Sequence, residues 1–181
     1  MLKMNESVKM IITLVVIAVV VAGAMAGINI LTKDKIVQND ADKLQKSLQE
    51  VLPADTYEIL KETDTYTVYK AVKNDEEIGY CVQVVESGYG GDIKMLVGMT
   101  GEYKVTKITI LSHGETPGLG ANATKDEFKK QFEGKQAGNL AVDKNTANET
   151  TIKAISGATI TSTAVTKAVN VAKQCVEEAT K

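Results

Sequence analysis

Two short stretches of this sequence combine residue types that could do chemistry. The first is Ser156-Gly157-Ala158-Thr159-Ile160-Thr161-Ser162-Thr163, lying between the apolar run 152–155 and a final helical segment. Its small residues let backbone approach a ligand closely, and its hydroxyls crowd just ahead of a helix. The first turn of a helix has unpaired N–H groups and a positive dipole end, so it receives a phosphate readily. On helix logic alone, an ordinary Ser/Thr N-cap after a Gly turn is the better account. Thr159 and Thr161 stand two apart, and spacing does not choose between them. Thr161 is the better placed to cap a helix that begins near Ser162. The second stretch is His113-Gly114-Glu115-Thr116-Pro117-Gly118-Leu119-Gly120. Its Pro-Gly pair favours a type II turn with Gly at positive φ. The chain's single histidine stands there beside a Glu and a Thr, where it could serve as acid or base or as a plain hydrogen-bonded loop residue.

The elements that must position these loops follow from periodicity. Runs at 57–60, 65–72, 78–85, 93–99 and 105–111 are rich in β-branched residues or alternate, with turn residues at Asn74-Asp75 and 87–91 between them. A short charged helix is expected at 125–132, and 139–151 is polar and loop-like. Val165, Ala168, Val169, Ala172 and Val176 form an apolar stripe on a final helix from about Ser162 to Ala179. Strands followed by helices predict an α+β fold: an antiparallel sheet with flanking helices.

Ahead of this domain, residues 10–31 form a run of 22 without a charge. As a helix it spans roughly 33 Å, enough for a ~30 Å hydrocarbon core. Lys3 and Lys9 with Ala24-Met25-Ala26 also fit a cleavable signal, but the apolar stretch is long for one. A retained transmembrane helix is the expectation, and either reading sends the remainder across the membrane. Orientation stays open, because Lys3 and Lys9 on one flank balance Lys33 and Lys35 on the other. Ile36, Val37, Ala41, Leu44, Leu48, Val51 and Leu52 continue a helical stripe up to Pro53. The organisation read from the sequence is therefore a terminal flank (1–9), a membrane span (10–31), a helical connector (32–53) and a domain (54–181).

Composition narrows the function classes. A net charge of −2, 4% aromatic residues and no Trp argue against a nucleic-acid partner. One His and two cysteines 94 positions apart leave too few soft ligands for a metal site. Cys81 and Cys175 sit among apolar neighbours, which suits buried thiols over a disulfide. No catalytic dyad is offered.

Taken together, the two loops resemble the FMN-binding domain family of the Rnf and sodium-pumping NADH:quinone reductase complexes, and most of all its Rnf G-subunit branch. Ser156-Gly157-Ala158-Thr159 matches the family's S/T-G-A-T flavinylation motif, and residues 113–120 match its H-x-E-T-P-G-L-G loop. Ser87-Gly88-Tyr89-Gly90-Gly91 resembles the family's glycine-containing loop before a strand, and the single N-terminal span matches as well. The resemblance implies FMN joined through its phosphate to the Thr159 hydroxyl by a separate flavin transferase that uses FAD. It implies that Ser156, Gly157, Ala158 and Thr161 shape the phosphate site. Glu115, Thr116, Pro117, Gly118 and Leu119 would line the isoalloxazine ring, with Leu119 on its face.

It further implies a single-pass inner-membrane protein in contact with lipid, whose FMN domain is extracytoplasmic. The partners would be the membrane and iron–sulfur subunits of a ferredoxin:NAD⁺ oxidoreductase complex. Other readings are the C-subunit of a sodium-translocating NADH:quinone reductase, which is typically longer, a stand-alone anchored flavin module feeding an extracellular reductase, or a binding domain with a vestigial motif.

Overall fold

A computed structural model of the chain describes residues 6–181, with side chains at 7–27 and 41–181. Helix α1 (Glu6–Val51) comes first. Its stretch Ser7–Gly27 has a mean hydropathy of 2.7 and exposed side chains, and is long and apolar enough to cross a membrane. The expected span and connector are thus one continuous helix. The side chains at 28–31, Ile36 and Val37, and residues 1–5 of the flank, lie outside the described residues. The helix ends just ahead of Pro53, whose ring disfavours helical backbone at the residue before it.

The second compact unit, Leu44–Lys181, holds a five-stranded sheet. Its strands β1 (Thr56–Glu62), β2 (Tyr66–Lys73), β3 (Glu76–Ser87), β4 (Asp92–Thr100) and β5 (Val105–Ser112) run in sequence order, every neighbour antiparallel. All five expected strands are present. Asn74 and Asp75 turn β2 into β3 with φ of 53° and 64°, the left-handed pair that a tight hairpin needs.

Alternation along the strands feeds two cores. Val82, Val84, Met95 and Val97 point to the face covered by α3 (Thr159–Ala179), whose Val165, Ala168, Val169, Ala172 and Val176 are fully buried. Between them and on the opposite face, Cys81 and Leu96 meet Leu48 and Val51 at the end of α1 and Leu52 and Ala54 just after it. Buried on both faces, β4 is apolar almost throughout.

The charged helix expected at 125–132 is one α-helical turn, α2 (Asp126–Lys129), extended as 3₁₀ through Phe132. Phe128 and Phe132 meet edge to face at 5.5 Å under the sheet. Two expectations need correction. The loop expected at 139–151 contains β6 (Ala141–Asp143), which pairs in parallel with β7 (Thr151–Lys153). Three-residue strands are too short to show periodicity. In addition, α3 starts at Thr159 and not near Ser162. Thr161 is therefore inside the helix and caps nothing.

Candidate functional site

Three loops converge at one end of the sheet: residues 88–91 between β3 and β4, residues 113–120 after β5, and residues 155–159 entering α3. Two of them are built around the same kind of turn. Leu119 N–H donates to the Thr116 carbonyl at 3.2 Å with Gly118 at φ +80°, and Ala158 N–H donates to the Ile155 carbonyl at 2.9 Å with Gly157 at φ +74°. In each turn the third residue carries the left-handed backbone that glycine adopts without steric cost. The two turns touch, since a Cβ on Gly157 would lie 3.1 Å from Leu119 Cδ2.

Glu115 ties the loops together. One carboxylate oxygen accepts the backbone N–H groups of Tyr89 (2.7 Å) and Gly90 (3.1 Å), and the other accepts the Thr161 hydroxyl at 2.7 Å. Its own N–H donates to His113 Nδ1 at 3.1 Å, so His113 is engaged in holding the loop. Glu115 is buried, as is Thr161. Burial pushes the Glu115 pKa up, but the Thr161 hydroxyl, the N–H groups of Gly90 and Tyr89 and the proximity of His113 more than offset this. The carboxyl ends below its ordinary value.

The four residues of the S-G-A-T stretch have different environments. Ser156, Gly157 and Thr159 are exposed, while Ala158 is buried. Ser162 links helix to loop, accepting Ile155 N–H and donating to the Ala158 carbonyl. The N-cap of α3 is Ala158, with no side-chain cap and no acidic residue in the first turn. The positive end of a 21-residue helix is therefore not neutralised by its own sequence.

Thr159 stands where two cavities meet. The smaller, about 440 Å³, is lined by Tyr89, Glu115, Thr116, Leu119, Gly120 and residues 157–161. Tyr89, Leu119 and Ile160 on its walls are large apolar side chains left substantially exposed, an apolar surface of the kind found at binding sites. The larger, about 1010 Å³, has Lys125, Lys144 and Lys153 against one acid, Glu127, and includes Gly118, Ser156 and Gly157. The expected residues Ser156, Gly157, Ala158, Thr159, Thr161, Glu115, Thr116, Gly118 and Leu119 all line one cavity or the other; Pro117 is exposed in the same turn. Sequence reasoning missed Tyr89 and Ile160, although a lone aromatic among the glycines of 87–91 was a signal. It also missed the three lysines, which only folding brings together.

Two family models match the chain: the RnfG N-terminal region over residues 1–51 and the FMN-binding domain over residues 88–174. The G-subunit of the proton-translocating ferredoxin:NAD(+) oxidoreductase complex of Clostridium ljungdahlii is 44% identical over 76% of this chain and 73% of its own length. The G-subunit of the Na(+)-translocating complex of Acetobacterium woodii is 36% identical over 96% and 93%. The chain belongs to the G-subunit family of ion-translocating oxidoreductase complexes. Among solved structures, the C-subunit of the Na(+)-translocating NADH-quinone reductase of Parabacteroides distasonis superposes with a TM-score of 0.53 at 26% identity, over 64% of this chain and 63% of that one. NqrC of Shewanella oneidensis shares the fold, with a TM-score of 0.52 at 20% identity over 68% and 66%. The FMN-binding match begins at Gly88 and runs into α3, so it takes in all three loops of the site. With its apolar N-terminal helix, this member of the G-subunit family is membrane-anchored.

Proposed function

We propose that this chain is the anchored electron carrier of an ion-translocating ferredoxin:NAD⁺ oxidoreductase complex, and that it holds FMN as a phosphoester of Thr159. The observation that carries the reading is the position of Thr159: an exposed hydroxyl on the first residue of α3, at the junction of the two cavities. Thr161 and Ser162 are buried and committed to internal hydrogen bonds. A flavin transferase can therefore reach the first hydroxyl and not the next two.

The residues present fit FMN. The uncapped N–H groups of α3 suit its phosphate, while Tyr89, Leu119 and Ile160 offer apolar walls to the ring in the smaller cavity. Glu115, Thr116, Pro117 and Gly118 shape that cavity, and Ser156, Gly157 and Ala158 shape the approach to the phosphate. When bound, the flavin supplies the redox chemistry; the chain supplies position and electrostatics.

Attachment forms a bond from Thr159 Oγ1 to the flavin-side phosphorus of FAD. The pyrophosphate bond breaks, AMP leaves, and the hydroxyl proton passes to the transferase or to water. A tether also keeps the local flavin concentration high where no soluble pool refills the site, which accords with an extracytoplasmic domain. The partners are then the complex's membrane and iron–sulfur subunits. The test is peptide mass spectrometry across residues 155–167 of protein purified from cells that contain the transferase. An FMN adduct on Thr159 is expected, and an adduct on Thr161, Ser162 or Thr163 would overturn the assignment.

A further inference from the structure

Glu115 is a buried carboxylate whose oxygens are met by hydrogen-bond donors of the protein. A buried acid is costly unless its lone pairs are met by donors. Here they are met by backbone N–H groups of the 88–91 loop, 25 and 26 residues upstream, and by a hydroxyl in the first turn of α3, 46 residues downstream. The fit is close. A Cβ on Gly88 would come within 2.2 Å of Oε1, and one on Gly120 within 2.2 Å of Oε2 and 2.6 Å of Thr161 Oγ1. The backbone thus encloses the carboxylate on both sides, and its lower partner is the third residue of α3.

We infer that Glu115 is a positioning residue for flavin attachment: through Thr161 it fastens the first turn of α3 to the 88–91 loop, and so fixes where the Thr159 hydroxyl stands. The inference rests on Thr159 as the attachment residue. Glu115 need not touch the flavin phosphate: its carboxylate has no proton to donate to one, and each oxygen already accepts from the protein. The helix connects Thr161 to Thr159 rigidly, so a shift at one is a shift at the other. Attack on a phosphorus held by another protein is sensitive to such a shift, because the reacting atoms must meet within a narrow distance and angle.

The experiment uses the full chain in detergent micelles, produced without the transferase and then supplied with purified transferase and FAD. Four variants separate hydrogen bonding from charge and from mere stability. Glu115→Gln keeps the shape: its amide oxygen can accept from Tyr89 and Gly90, and its amide nitrogen can donate to a rotated Thr161 hydroxyl. Glu115→Ala removes the tie, Thr161→Val removes one donor, and Thr161→Ser restores it.

We expect Glu115→Ala to slow attachment on the order of tenfold to a hundredfold in folded protein. Glu115→Gln and Thr161→Ser should run close to wild type, and Thr161→Val should be slowed. Independently of any flavin, the Tyr89 and Gly90 amides should be protected from hydrogen exchange in wild type and Glu115→Gln, and unprotected in Glu115→Ala.

Wild-type rates in Glu115→Ala with both amides unprotected would overturn the inference, as would a folded Glu115→Gln as slow as Glu115→Ala. If Glu115→Ala fails to fold, the two Thr161 variants decide: equal rates for Val and Ser overturn the latch. Wild-type protein modified anywhere but Thr159 would instead overturn the proposed function.

Discussion

On one face of the sheet, Leu48, Val51, Leu52 and Ala54 press on Tyr69, Ala71, Cys81 and Leu96. At its rim, a carboxylate, two backbone N–H groups, a buried hydroxyl and closely approaching glycines hold three loops in register. The first contact is apolar and non-directional, so it tolerates any packing of similar volume and shape. The second is directional: each partner is defined by one donor, one acceptor and little space. The contrast predicts that fold and site separate: the α1 end and sheet should lose stability without moving the site, and the rim should lose geometry without unfolding the sheet.

The largest effect lies wholly at the rim. Thr159→Val keeps the β-branched shape and removes the oxygen, so covalent flavin should vanish while expression and membrane insertion persist. In-gel flavin fluorescence beside a thermal melt reads both. A fluorescent band from Thr159→Val would break the separation at once.

On the apolar face, Leu48→Ala should destabilise the domain by about 2–5 kcal/mol through lost burial and a residual cavity. Attachment in the folded fraction should be unchanged. Denaturant unfolding beside the flavin content of folded protein tests this, and a folded variant that is poorly flavinylated would show the two regions to be coupled.

A mixed case is Gly118→Val. At φ +80° a β-branched side chain costs roughly 1–2 kcal/mol, and the turn that carries Leu119 must shift. The flavin spectrum or potential should change even where attachment persists. Unchanged flavin content, spectrum and midpoint would remove the 116–119 turn from the flavin site.

Acid should loosen the rim before the apolar face. The carboxyl of Glu115 is held below its ordinary value of 4.5. Its stabilising contribution is fully present above that ordinary value and disappears as pH falls through the lower folded value. Exchange protection at Tyr89 and Gly90 should therefore fall in that acid window while mid-strand amides of β3 and β4 stay protected. Glu115→Gln should flatten the dependence, and a dependence that survives in Glu115→Gln would assign it to another group.

The smallest effect is expected from the thiols. Burial raises Cys81 to about 12 and Cys175 to about 11, so neither forms much thiolate near neutral pH. Native protein should resist a thiol reagent that labels both after unfolding. Rapid native labelling of Cys81 would mean that the apolar face opens more readily than its packing implies.

By itself the sequence determined the strands, the apolar stripe of α3 and the two loops worth attention, and it favoured buried thiols at Cys81 and Cys175, which the structure has. All of these are local: alternation, helical period and turn residues act between near neighbours. The Pro117-Gly118 turn was legible for the same reason. Spacing alone could not choose which threonine is open; only the resemblance and the small residues before Thr159 pointed to it. Thr159 and Thr161 differ by two positions, and their fates were decided by where α3 starts and by a carboxylate 46 residues away. The β6–β7 pair, the meeting of Lys125, Lys144 and Lys153, and the seat of Glu115 between Gly88 and Gly120 were likewise hidden. Each depends on contacts between residues far apart in the chain, and such contacts leave no period in the sequence to read.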